Sequence, residues 1–250
     1  MGAVLNAKQD VLKTCRDLKE RNVWVAEILG GYGDALTLAG RGDETKSYFD
    51  EALSLSREIK NDGMVAQMLG WAGDSFYYQG DYKSARPLYE RALQAAAHTT
   101  ERDKVLIAKV NLAKVAIQEG RAAAALSSLR LLAQEAQELG LKDIGLECSV
   151  YMAEAMIQSK NFSSARQELE RALSQSDKLG LNPLTLRAHY LLADALRQSG
   201  NNAEAQDHYR AALRLLDTIR KEPGAEKVMH RSDLATMSTE ANRWLQSVKN

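Results

Sequence analysis

The chain has 250 residues, and its 33 basic side chains are balanced by 33 acidic ones. A formal net charge of zero argues against sequence-independent nucleic-acid binding, which needs a basic excess or stripe facing phosphates. No run of about 18 apolar residues occurs that could cross a bilayer as a helix, and MGAVLNAKQDVLKTC lacks the basic-then-apolar order of a secretory leader.

In chain order, Val4, Leu5, Val11, Leu12, Cys15 and Leu18 recur on one helical side and predict a leading helix over 2–20. The chain then repeats itself every 40 residues. A corner glycine stands at Gly40, Gly80, Gly120 and Gly200, with Lys160 in the same column. Five residues on, the column reads Thr45, Ala85, Ala125, Ala165 and Ala205; four further on it reads Phe49, Tyr89, Leu129, Leu169 and Tyr209. Seven residues before the corner stand Gly33, Gly73, Ala113, Ala153 and Ala193. Small residues at these points let helix axes approach while the aromatic or leucine fills the space between them. The pattern predicts helix pairs at 23–60, 63–100, 103–140, 143–180 and 183–221 in one domain. Asn182-Pro183 reads as a cap followed by a first-turn proline. Pro87 falls too deep in its helix to leave the hydrogen bonding intact. Beyond Pro223 the columns fail, and Leu234, Met237, Ala241, Trp244 and Leu245 predict a capping helix over 226–247 with Trp244 as its main filler.

The stretch LGWAGDSFYYQGDYKSARPLYERAL, Leu69 to Leu93, carries a small residue, a Gly-Asp-Tyr corner and then Ala-x-x-x-Tyr-x-x-Ala-Leu. It resembles a tetratricopeptide repeat, in the long-helix form similar to kinesin light chain and the bacterial maltose-regulon activator. The resemblance implies an all-α, right-handed solenoid of five helix pairs with a leading and a capping helix. It further implies a concave groove lined by the first helix of each pair and used to bind protein segments. Because the chain opens in the second-helix slot, it is expected to be cut from a longer protein.

Carried onto this sequence, three columns would line that groove. One reads Asp34, Asp74, Lys114, Glu154 and Asp194; the next Thr37, Tyr77, Ile117, Ile157 and Arg197; the third Glu27, Gln67, Ile107, Glu147 and Arg187, with Tyr78 and Tyr190 beside them. Four carboxylates in the first column would repel an acidic tail. The expected partner is therefore a basic or mixed-charge protein or peptide segment, with the tyrosines as apolar and cation–π contacts. The alternative is that these acids are solvated helix surface, compensated by nearby Lys and Arg.

Chemistry is poorly served. His98, His189, His208 and His230 show no metal-ligand spacing, and Gly30-Gly31-Tyr32-Gly33 has no strand before it to make a phosphate loop. Cys15 and Cys148 lie more than three repeats apart and are expected to be reduced. The expectation is a cytoplasmic, non-catalytic scaffold with no cofactor or metal, monomeric or weakly self-associating. Its rivals are a sensing module of a larger bacterial regulator and a self-associating structural module.

Overall fold

The computed structural model describes residues 2–15 and 17–248. Twelve α-helices occur among them, and no strand. They are α1 (Gly2–Thr14), α2 (Leu18–Leu38), α3 (Lys46–Glu58), α4 (Asp62–Tyr78), α5 (Tyr82–Ala96), α6 (Arg102–Gln118), α7 (Ala122–Glu138), α8 (Lys142–Gln158), α9 (Phe162–Leu179), α10 (Asn182–Gln198), α11 (Asn202–Arg220) and α12 (Ser232–Ser247).

The leading helix stops at Thr14 rather than running to 20, because Asp17 starts a new one. Its carboxylate accepts the Glu20 N–H at 2.7 Å, satisfying a donor left over at the start of α2. The same device starts α4, where Asn61 caps Met64, and α5, where Asp81 caps Ser84, each at 3.0 Å. Asn182 is the first residue of α10, not a cap outside it. That start keeps the column of Asp62, Arg102 and Lys142. Helix α5 continues through Pro87, which can donate no hydrogen bond to the preceding turn. The last helix begins at Ser232, not at 226. Residues Val228–His230 form a 3-10 turn instead.

The corner glycines turn the chain in the left-handed region, with φ of 78° at Gly40 and 81° at Gly80. Lys160 adopts the same conformation at φ 60°, so the corner survives without its glycine. Small and large columns meet as the pattern predicts. A β-carbon on Gly33 would come to 2.8 Å of the Phe49 ring, and one on Gly73 to 2.5 Å of the Tyr89 ring. Thr45 fills an alanine column and is buried; its hydroxyl is answered by Ser75 at 3.0 Å and the Gly42 carbonyl at 2.8 Å.

The chain divides into two compact units. Unit 1 comprises the residues up to Leu112 together with Lys227–Ser232; unit 2 comprises Ala113–Glu226 and the residues from Asp233 onward. In unit 1, Val25, Ala26 and Leu29 of α2 pack with Ala52 of α3 and Met64 and Met68 of α4. A second cluster joins Val65 and Leu69 to Ala92 of α5 and Ala108 of α6. In unit 2, Ala241 of α12 closes over Ala193 and Tyr209, with Trp244, Leu245 and Tyr190 around them.

Candidate functional site on the first-helix face

A helix turns about 100° per residue, so positions 27, 31, 34 and 38 of α2 lie within about 60° of one another. The equivalent positions on α4 are Gln67, Trp71, Asp74 and Tyr78. Position 37 lies about 80° from position 27, and its column turns inward. Thr37, Tyr77, Ile117 and Ile157 are buried. The Thr37 hydroxyl donates to the Gly33 carbonyl at 3.0 Å, and Tyr77 is wedged edge-on between Tyr78 and Tyr82. Tyr77, Ile117 and Ile157 thus present little accessible surface, which corrects their place in the expected groove. The column that shares the face is Leu38, Tyr78 and Gln118, with Gly31 and Trp71 beside it; Asn111 and Tyr151 continue the Gly31 column but are buried. Apart from Tyr78, the groove columns expected from sequence did not include these positions; a helical-wheel angle would have found them.

In unit 1, Glu27 and Ile107 are exposed, while Asp34, Asp74 and Tyr78 are half-buried. Gln67, Trp71 and Asp74 of α4 and Lys104, Ile107 and Asn111 of α6 line a cleft of about 200 Å³. Gly30 lets α4 approach here, since a β-carbon would strike Met68 and come to 3.0 Å of Trp71. Lys104 Nζ donates to Gln67 Oε1 at 2.9 Å, and the Tyr89 hydroxyl donates to Asp74 at 2.7 Å. Burial, and secondly the Asp74 charge, push the Asp34 carboxyl up to about 7, against the pull of Arg231.

That arginine comes from the Lys227–Ser232 turn. Its guanidinium lies 3.8 Å from the centre of the Tyr78 ring, and the residue is 7% exposed. Lys227 Nζ donates to Glu44 at 3.0 Å, and the Glu44 carboxyl is held down at about 2 by hydrogen bonds from Arg41 and Lys227.

Unit 2 treats the same columns differently. Lys114 is buried, 3.1 Å from Glu147. Glu154 receives Gln118 at 2.8 Å and Arg187 at 3.1 Å. Arg187 also reaches Asp233 of α12 at 3.5 Å. The Tyr151 ring faces both cations, 5.3 Å from Lys114 and 4.8 Å from Arg187. Asp194 pairs with Arg197, and the Tyr190 hydroxyl donates to Glu240 of α12. Here the carboxylates are compensated within the fold, and α12 contacts both Arg187 and Tyr190. His189 and His208, 19 residues apart, bring their Nδ1 atoms to 2.9 Å, a pairing that no local spacing announces. Among the described residues no group of three or more His, Cys, Asp or Glu could hold a metal ion. Burial pushes the Cys148 thiol up to about 12.

Repeated helix pairs stacked through matching small and large columns define an all-α helical-repeat protein of the solenoid class. The tetratricopeptide repeat model matches residues 24–97, 64–132 and 146–218, and the chain belongs to the tetratricopeptide repeat family. Among solved structures it is similar to BtubC (BKLC) from P. vanneervenii, at 16% identity and a TM-score of 0.67, over 88% of this chain and 91% of that one. A signal-transduction ATPase with a tetratricopeptide repeat sensor from Pyrococcus horikoshii is similar at 13% identity and a TM-score of 0.62, over 99% of this chain and 40% of that one. Aspartyl phosphate phosphatase F from Bacillus subtilis is similar at 12% identity and a TM-score of 0.62, over 96% and 63%. None of the curated proteins matches. No helix of the described residues is long and apolar enough to cross a membrane.

Proposed function

We propose that the chain is a non-catalytic binding module whose face on α2, α4 and α6 takes a protein or peptide segment of basic or mixed charge. One observation carries the reading: the chain's own Lys227–Ser232 turn lies on this face, with Arg231 over Tyr78 and in electrostatic reach of Asp34. A guanidinium stacked on an aromatic ring beside carboxylates is the arrangement by which a basic side chain is recognised. The neighbouring cleft offers Trp71 and Ile107 as apolar contacts. Free Cys15 and Cys148 fit a reducing compartment, and we place the protein in the cytoplasm.

Fluorescence anisotropy on the full chain with lysine- and arginine-rich, neutral and glutamate-rich peptides tests this. Basic peptides should bind tightest and weaken as salt is added. Asp34→Asn combined with Asp74→Asn should lower their affinity by about tenfold, about 1.4 kcal/mol. Acidic peptides binding equally well would discard the reading. A second reading, a sensing module within a longer signalling protein, draws on the likeness to the Pyrococcus sensor protein. A catalytic or DNA-binding region elsewhere in the intact gene product would favour it.

A further inference from the structure

We propose that this face reads an aliphatic-x-x-arginine turn, and that Val228-Met229-His230-Arg231 is its resident occupant, displaced when a partner segment of the same chemistry binds. The proposal rests on the reading of the face as a site for basic peptides, and adds the register and the competitor.

Three observations support it. First, the turn is seated at two points. Val228 is 1% exposed, and Arg231 stands three residues later against Tyr78. The turn is held by its own backbone, with the His230 N–H donating to the Lys227 carbonyl at 2.8 Å and the Arg231 N–H to the Val228 carbonyl at 3.1 Å. Second, the seat is shaped for it. A β-carbon on Gly40 would overlap the Lys227 carbonyl oxygen, and one on Gly80 would come to 3.0 Å of Ser232 Oγ, whereas at the corners Gly120 and Gly200 the same space is open. Third, the charges are complementary. Asp34, Asp74 and Glu44 are the acids of the seat, and Lys227 and Arg231 the cations of the turn. A six-residue turn with two internal hydrogen bonds is also the kind of element that opens without unfolding the helices beneath it.

The test uses the full chain, wild type and Arg231→Ala, with a labelled peptide matching residues 226–233 as probe. The vacated seat of Arg231→Ala should bind the probe at least tenfold more tightly than wild type does. Replacing the probe's arginine by glutamate, or moving it one position, should remove that gain. On the wild type, excess probe should speed hydrogen exchange at the His230 and Arg231 amides. If the probe binds both forms equally, or those amides keep their protection while it binds, the turn is no competitor. The inference then falls while the basic-peptide reading stands. A shuffled probe that binds as well as the ordered one sinks the register. If no basic peptide binds either form, both readings fall. Val228→Ala is the second variant, and should Arg231→Ala fail to fold, the exchange measurement on the wild type decides.

Discussion

Two single residues carry testable energies. Lys160 occupies a corner where four counterparts are glycine, at φ 60°. An L-residue there is strained by roughly 1–2 kcal/mol, partly offset by the greater backbone entropy that glycine loses on folding. Lys160→Gly is expected to stabilise the fold by about 0.5–1 kcal/mol and raise Tm by about 2 °C; a melting curve that stays put or moves down would show that the strain is relieved elsewhere. Asp34 is the second. Its carboxyl is raised from 3.8 to about 7 in the fold, first by burial and then by Asp74. Between those values the folded chain keeps a proton that the unfolded chain has shed. The stability it contributes is therefore fully present below about pH 4 and lost as pH rises through about 7. Urea titrations of Asp34→Asn against wild type over this window should show a flatter profile and a relatively more stable variant at pH 8. An unchanged slope would mean that Arg231 keeps Asp34 ionised throughout.

At the scale of the element, the pairing of small and large columns is the claim that matters. Gly73 faces the ring of Tyr89, whereas the equivalent pairs in the next two repeats are Ala113 with Leu129 and Ala153 with Leu169. A methyl group on Gly73 must push against an aromatic ring that is wholly buried. Gly73→Ala should destabilise by about 1–3 kcal/mol through overpacking. Tyr89→Leu added to it should recover part of the loss by recreating the later pairs, although it gives up the hydrogen bond to Asp74. Chemical denaturation of the single and double variants measures this, and additive losses would contradict it. In the last repeat Ala193 and Tyr209 coexist, with Tyr209 leaning toward Trp244 at 5.2 Å. An alanine and a tyrosine can therefore occupy the facing columns where a second ring packs beside them.

For the whole molecule, the paired helices of the five repeats, their corners and the two interlocking columns were legible from the period alone, because each follows from contacts within or between adjacent hairpins; the break before Asp17 and the start of α12 at Ser232, outside the repeats, were not. The acids of the face were legible as well, since Asp34 and Asp74 keep the period. Trp71 and Asn111 were missed through a choice of helical angle, and Tyr77, Ile117 and Ile157 were placed on the face by the same error. What faces those acids was not legible. In unit 2 the face carboxylate Glu154 is answered by Arg187 from within the repeats, and that arginine in turn meets Asp233, which lies beyond the last repeat. In unit 1 the answering charges come from Lys227 and Arg231; Lys227 meets Glu44 across 183 residues of sequence. Local periodicity determines which residues a helix buries, because neighbouring hairpins share one geometry. Contacts made by a non-repeating tail leave no period to read, so the arginine that the acidic face of unit 1 already holds becomes visible only in the folded chain.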